Sequence, residues 1–492
     1  LTVDAKSIAV AGSISVGVKS DDDDQEKPPA PPKLETSSVK AEAKAVSKAQ
    51  ATGIDGGEGN NRITNTAPIT VTSNATTVAG SIAVNVSGLG GGGNEGQEPP
   101  AGEKPETPAL ELSSAKTDAS AKAESRGIGI NAGSGSDTIA SGGDISVEAT
   151  STAVAAGVSV NVAKVDKGLS GSAALADAGA EAHSTAIGID GGYGDNGITN
   201  SSAIGAKAAA TAVGVGVSVD VGIAEKGATL GAAIADSSTT AESVATGIRS
   251  GAGQDKVVNT GVITPDASSS ATAVSVGLTV TNADKGLAAS AALADANARA
   301  AATARGIETG AGDGVIQNDG SIAPKAKAGT TAVGVTIGVG VTEQGVSLGA
   351  ALAESKTNST ATAMGIGSGS GNDRVSNTGQ IGLDAQSGAT AVSVGLAVTY
   401  AKQGVGVSAA IVDAQSAAEA TARGIEAGDG DDAVTNLGII QGIARADTTS
   451  VGVSGSVGIA KQGVAAGVGL SDTSTSARAS AVGIDGGRGE DR

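Results

Sequence analysis

The chain has 492 residues and contains no Cys, Phe or Trp, which excludes thiol catalysis, a disulfide scaffold and a core built on large aromatic rings. Its formal net charge is −19, which disfavours binding to nucleic acid or to an anionic membrane surface. No apolar run approaches the about 18 residues of a membrane span, so we expect no membrane insertion.

A Gly-Ile pair that recurs every 59 residues is the strongest signal in the chain and predicts a repeat protein. The sequence divides into a partial first repeat at 1–52 with an inserted loop at 20–33, a repeat at 53–128 with an inserted loop at 88–108, regular repeats at 129–187, 188–246, 247–305, 306–364, 365–423 and 424–482, and the start of another at 483–492. Because the last residue falls inside a motif, we expect the chain to be part of a longer array.

Each repeat begins with a glycine-rich turn, in which a Gly-x-Gly-x-Asp pattern resembles the calcium-binding nonapeptide of RTX proteins. The pattern places Asp137, Asp255, Asp373, Asp431 and Asp432 as candidate calcium ligands. The resemblance is limited, because RTX repeats run in tandem whereas this motif occurs once in 59 residues. The alternative is a corner supported by glycines, in which Asp and Asn side chains bond the backbone.

A column of asparagines follows the turn at one repeat position, and this type of residue is typical of corners. Its members are Asn65, Asn200, Asn259, Asn318, Asn377 and Asn436, with Ser141 once in their place. We interpret the column as corner chemistry, in which Asn bonds the backbone and tolerates a left-handed φ.

The second part of each repeat alternates strictly, as in 274–281, where aliphatic residues take every second position and Gly, Ser or Thr the others. This period of two predicts a strand with one buried face. We expect the aliphatic residues to point inward, which leaves a flat face of small residues outside. That face would allow two solenoids to lie together, or would order water.

The third part is rich in Ala and is ambiguous between helix and strand. In 39–50, small residues alternate with Lys40, Glu42, Lys44 and Lys48. A helix would wrap these charges around itself, whereas a strand places them all on one face. We therefore predict a strand.

The inserted loops 20–33 and 88–108 both fall between the second and third parts, at an outer corner. Both are acidic and rich in Pro or Gly, so we expect them to be disordered.

These features predict an all-β, elongated parallel β-solenoid, in which each 59-residue repeat forms about three coils of about 20 residues. At about 4.8 Å per coil, roughly 23 coils would make a rod of about 110 Å. The alternative is a stack in which the second and third parts of each repeat form an antiparallel hairpin.

No candidate catalytic group emerges from the sequence. The one histidine, His183, lies in an alternating run with Glu181 and Thr185 and is expected to face solvent. A catalytic triad or a histidine metal site would need residues that break the repeat and gather in one cleft. We therefore expect a protein that is not an enzyme and has no cofactor beyond the calcium considered above.

The phrase Gly-Ile-Asp-Gly-Gly-x-Gly-Asn/Asp-Asn-x-Ile-Thr-Asn at 53–65 and 188–200, followed by Ala/Thr/Val alternation, resembles long surface proteins of Gram-negative bacteria. These are autotransporter passengers and filamentous-haemagglutinin-like adhesins. The resemblance implies a right-handed β-helix, export to the bacterial cell surface, and a role in adhesion, biofilm or filament formation. The implied partners are the chain itself, through lateral or end-to-end association, or a surface glycan.

Overall fold

The computed structural model describes residues 1–19, 34–88 and 109–492, and within them it consists of parallel β-strands without a helix. The predicted loops 20–33 and 88–108 lie outside the described residues, apart from Gly88. The strands are β1 Thr2–Lys19, β2 Leu34–Asp55, β3 Arg62–Asn65, β4 Ile69–Ser87, β5 Ala109–Asn131, β6 Thr138–Ser141, β7 Ile145–Asp190, β8 Gly197–Asn200, β9 Ala203–Gly251, β10 Lys256–Asn259, β11 Val262–Thr309, β12 Val315–Asn318, β13 Ser321–Ile322, β14 Lys325–Gly367, β15 Arg374–Asn377, β16 Gln380–Glu426, β17 Ala433–Asn436 and β18 Ile439–Asp485.

The pairing register shows that each 59-residue repeat is one coil of a parallel β-solenoid. Ser268 of β11 pairs with Ala209 of β9 on one side and with Lys327 of β14 on the other, 59 residues away in both directions. The prediction of about three coils per repeat is therefore wrong, because three coils would pair residues about 20 positions apart. Eight coils, counted by their long strands, rise about 38 Å at about 4.8 Å each, instead of about 110 Å.

Each coil is longer than the predicted coil of about 20 residues because it contains two long arms that face each other. In β11, arm A is 262–283, arm B is 287–309, and the two meet at a tip, 284–286, where Gly286 has a φ of 133°. Hydroxyl groups bridge the arms: Thr279 Oγ1 donates to the carbonyl of Ala291 at 2.8 Å, and Ser269 Oγ to that of Ala301 at 2.6 Å. The same two arms recur in every coil.

The two arms contact each other through side chains, whereas their backbones pair with the neighbouring coils. All strand pairings of β11 are parallel and lead to β9, β13 and β14. The antiparallel hairpin is therefore wrong. The strand interpretation of the Ala-rich third part is confirmed, since its small residues are buried and its charged residues, apart from the buried Glu111, are partly or fully exposed.

The interior between the arms is lined by small residues, which reverses the predicted orientation of arm A. Ser275, Thr279 and Thr281 are fully buried, whereas Val274 and Val276 lie on the outer face. The expectation that the aliphatic residues of this segment point inward is wrong. Arm B contributes an inner face of Ala and Ser, and the arms approach so closely that only small side chains fit between them.

The largest fully buried aliphatic side chains are isoleucines, which lie at the base of the coil, where arm B ends, the short strand passes and the next arm A begins. Ile307, Ile316 and Ile322 are all fully buried there and belong to these three elements. The equivalent residues of the other coils stack into three isoleucine-rich columns. This base, which we call the head, supplies the wide part of the core.

Candidate functional site

The glycine corner lies at the head, between arm B and the short strand, and depends on two left-handed glycines. In the turn before β10, Gly251 has a φ of 96° and Gly253 a φ of 145°. A Cβ on Gly251 would lie 1.6 Å from the carbonyl oxygen of Gly192 in the preceding coil. The turn can therefore stack only when this position carries no side chain.

The candidate calcium ligands divide into a buried column and an exposed one. Asp137, Asp255, Asp373 and Asp432 occupy the same position in their coils and are at most 2% exposed. Asp431 belongs to the exposed column next to it. The structure therefore places four of the five residues in one stack and leaves the fifth outside it.

Each buried carboxylate bonds the backbone of the coil before it. Asp373 Oδ1 accepts the Gly314 N–H at 2.6 Å, and Asp432 Oδ1 accepts the Asp373 N–H at 2.7 Å. Burial raises the pKa of Asp373 and Asp432, although these backbone donors act in the opposite direction. The second oxygens of Asp137, Asp373 and Asp432 have no hydrogen-bond partner of good geometry among the described residues, although the Ser368 hydroxyl lies near enough to Asp373 to lower its pKa. The second oxygen of Asp255 accepts the Ser250 hydroxyl at 2.7 Å.

The exposed column bonds in the opposite direction, because each of its Asn and Asp side chains accepts a hydrogen bond from the coil after it. Asn372 Oδ1 accepts the N–H of Asp431 in the following coil at 2.9 Å, and Asp431 Oδ1 accepts that of Glu490 at 3.0 Å. Both columns thus join successive coils through side chain to backbone bonds. In the described part of the chain, no three His, Cys, Asp or Glu side chains converge on a position that could hold a metal ion.

From Asn200 to Asn436 the asparagine column forms a ladder of side-chain hydrogen bonds along the head. The Nδ2 of Asn259 donates to Oδ1 of Asn318 at 2.8 Å, and Asn318 donates to Asn377 at 2.7 Å. The corner role predicted for these residues is confirmed. The prediction that these asparagines adopt a left-handed φ is wrong, because every residue with a positive φ in the described ranges is a glycine.

Asn318→Ala is expected to lower the free energy of unfolding by about 1–3 kcal/mol, because it leaves buried amide groups of Asn259 and Asn377 unpaired. Asn318→Ser should cost less, since Ser141 already fills this position in another coil and accepts a bond from Asn65. Urea unfolding followed by circular dichroism measures both. Equal losses for the two variants would contradict the ladder as a source of stability.

A row of carboxylates along the outside of arm B was missed in the sequence analysis. One acidic residue stands at the same position in each of eight successive coils, so that neighbours pair in register. The row consists of Glu42, Asp118, Asp177, Asp236, Asp295, Glu354, Asp413 and Asp472. Burial raises the pKa of Asp295 to about 6, and the carboxylates of Asp236 and Glu354 add to the effect. The 59-residue spacing alone would have revealed this row.

Asp220 carries a carboxyl group inside the arch, as does Glu111 of β5, which is also buried on the inner face of arm B. Asp220 is fully buried and accepts bonds from Asn161 Nδ2 at 2.9 Å and from Ser172 Oγ at 2.7 Å. Burial raises its pKa to about 6 despite these two donors. Asn161 and Asn85 hold the same position in the two preceding coils, so Asp220 replaces a neutral amide.

These raised pKa values predict that the fold is more stable in mild acid than at neutral pH. A carboxyl group with a folded pKa above its unfolded value stabilises the fold when protonated, and this contribution is lost as the pH rises from about 4 through about 6. Asp220→Asn should remove part of the loss and raise stability at neutral pH by about 1–3 kcal/mol.

The control for this prediction is Asp266→Asn, which removes an exposed carboxylate from arm A. Urea unfolding at a series of pH values measures all three proteins. If Asp220→Asn shows the same pH dependence as the parent chain and as Asp266→Asn, the buried carboxyl does not control it.

His183 lies on the outer face of arm B, as predicted, with Nδ1 3.3 Å from Glu242 and Nε2 3.9 Å from Glu181. The described part of the chain holds no apolar helix of membrane-spanning length.

Comparison with known protein families, with curated protein sequences and with solved structures finds no match to the chain. The structure itself shows the class of fold. It is an all-β parallel solenoid whose coils are long arches, and polar ladders join these coils at the head.

Proposed function

We propose that the chain is a structural or adhesive element of the bacterial cell surface, as a stalk, a fibre or a filament subunit, and that it performs no catalysis. The observation that carries this proposal is the repetition of the same bonds from coil to coil, as in the ladder from Asn200 to Asn436. A fold in which each coil contacts its neighbours can be lengthened without changing its chemistry. The extracellular location rests on the resemblance to surface adhesins.

The proposed partner is the chain itself. The same parallel pairing recurs from coil to coil, as between β14 and β16 and between β16 and β18, so one coil can accept another of the same kind through its backbone groups. A second copy that paired in this way would continue the sheet, which is the end-to-end mode of association.

Electron microscopy of the purified chain tests the structural role. We expect elongated assemblies in which successive coils repeat at about 4.8 Å, a spacing that fibre diffraction detects. Particles that remain single at all concentrations and bind no bacterial or glycan-coated surface would contradict both the structural and the adhesive role.

A calcium-dependent adhesin that recognises a glycan or another surface is the second candidate. It is favoured by one observation, the unpaired oxygens of the buried Asp373 and Asp432 in successive coils. Under this proposal, calcium raises the melting temperature of the chain, and Asp373→Asn with Asp432→Asn removes the increase. A melting temperature that is the same in calcium and in a chelator would reject the calcium site.

A further inference from the structure

The outer face of arm A carries a continuous aliphatic surface, which we call the wall. It consists of the four outward positions held by Val274, Val276, Leu278 and Val280 in β11 and by their equivalents in the other seven coils. Of these 4 × 8 = 32 positions, 28 are Val, Ile or Leu, and the exceptions are Gly12, Gly80, Gly455 and Ala156. No charged residue interrupts the wall, although the chain has a net charge of −19.

The wall reaches solvent in every coil, although most of its side chains in the inner coils are half-buried. Leu396, in an inner coil, is 37% exposed, and Ile14 and Val453, in the end coils, are 75% and 52% exposed. Strand geometry gives the wall an area of roughly 1,000 Å², from eight coils at about 4.8 Å and four alternate positions at about 6.6 Å. Apolar patches of more than a few hundred Å² are uncommon on monomers and mark interaction sites.

The size of the wall fits a second copy of the same surface. A stable protein interface buries about 800 Å² per partner, which the wall can supply alone. Its side chains repeat with the coil spacing, so two walls can lie face to face as the sheets of a β-sandwich do.

The charges beside the wall favour one orientation of the second copy. Closer to the head, arm A carries Glu148, Lys207, Asp266 and Lys325 at one position of four successive coils. A twofold axis along the strands, between the coils of β9 and β11, places Glu148 opposite Lys325 and Lys207 opposite Asp266. Opposite charges therefore meet across the axis at this position, while Lys6 and Arg445 form one like-charged pair across it two residues nearer the wall.

We propose that the chain forms a twofold dimer in which the arm A walls of two copies pack face to face. This inference deepens the proposed structural role, since it assigns the lateral contact to the aliphatic wall. The small-residue face predicted for that contact is buried between the arms. The wall contact uses a different surface from the strand pairing between coils, so lateral pairing and end-to-end growth can occur together.

Sedimentation velocity of the 492-residue chain over a range of concentrations tests the dimer. We expect the mass of two chains for the parent protein, and at least about tenfold weaker association for Val276→Lys with Val335→Lys, because each lysine would have to be buried in the interface. The matched control is Asn297→Lys with Gln415→Lys, which adds the same charge to the outer face of arm B and should remain dimeric. A parent chain that stays monomeric, or a wall variant that associates as strongly as the control, would overturn the proposal.

A labelling experiment covers the case in which the lysine variant fails to fold. The chain has no cysteine, so Val276→Cys and Asn297→Cys each accept one polarity-sensitive fluorophore. The emission of the wall label should shift to the blue as the chain associates, while the arm B label should not change. Equal behaviour of the two labels would overturn the proposal, as would a monomeric chain that floats with phosphatidylcholine vesicles, since the wall would then bind lipid.

The result of the dimer test can be distinguished from the result for the proposed structural and adhesive role. A dimer that forms no fibres and binds no surface supports the wall contact and contradicts the structural and adhesive role. Fibres or adhesion from chains that do not pair through the wall give the opposite result.

Discussion

Gly306→Ala is expected to lower the free energy of unfolding by about 2–3 kcal/mol, a large effect for one methyl group. The added Cβ would lie 2.2 Å from Cγ2 of Ile322 and 2.4 Å from the carbonyl oxygen of Gly365 in the next coil. Ile322 is fully buried, and the Gly365 carbonyl belongs to the stacked backbone, so neither can move without separating the coils. This is the physical reason for the Gly-Ile pair that marks each repeat.

Gly382→Ala is the matched control, because this glycine lies on the outer face of β16 and its added Cβ would meet no atom within 4 Å. It should leave stability unchanged or raise it slightly, since glycine weakens a strand. Urea unfolding followed by circular dichroism compares the two variants. Similar midpoints would show that the coils at Gly306 are not in close contact.

Ser275→Val is expected to destabilise the fold by about 2–3 kcal/mol, whereas Val276→Ser, one residue further on, should cost less than about 1 kcal/mol. The Ser275 hydroxyl is fully buried and donates to the carbonyl of Asp295 across the arch. Valine would lose this bond and force the arms apart. Val276 projects from the outer face, where serine is readily hydrated at protein concentrations low enough to keep the chain monomeric.

The same unfolding measurement decides between the two possible orientations of arm A. If the aliphatic residues pointed inward, Val276→Ser would be the damaging change and Ser275→Val would be tolerated. That order of effects would contradict the structure directly.

The orientation of arm A could have been predicted from the phase of the alternation. Burial alternates without interruption from Ile263, in the head, to Ala283, at the tip, so the buried set passes through Ser275 and Thr279. Taken alone, 274–281 fits either orientation, and the more hydrophobic set is the usual choice for the inside. The narrow gap between the arms reverses that choice, because facing backbones this close leave room only for small side chains.

The number of coils could not be read from the repeat length. A period of 59 residues defines what recurs, and both one long coil and three short coils satisfy it. Arm B was predicted correctly because its charges fix its orientation: Lys40 and Glu42 can only be outside. Arm A has no such charges along the wall, so the sequence of the wall segment taken alone does not show which side is in water.

The glycine corner was predicted in its type but not in its contacts. The Gly-x-Gly-x-Asp pattern indicates a turn, and the structure confirms left-handed glycines at Gly251 and Gly253. That Asp373 and Asp432 point inward and bond the preceding coil depends on the stacking distance, which no local motif contains. The raised pKa of Asp220 likewise arises from burial between the two arms.

The assignment of one coil to each 59-residue repeat is tested most directly by two nitroxide labels at Ser268→Cys and Lys327→Cys, both exposed on the outer face of arm A. These residues pair in adjacent coils, so their backbones lie about 4.8 Å apart and strong spin exchange is expected. A second pair, at Ser268→Cys and Ala289→Cys, lies on opposite sides of the arch and should show none. Exchange in the second pair and its absence in the first would contradict the structure, because three coils per repeat place residues 59 apart at about 14 Å.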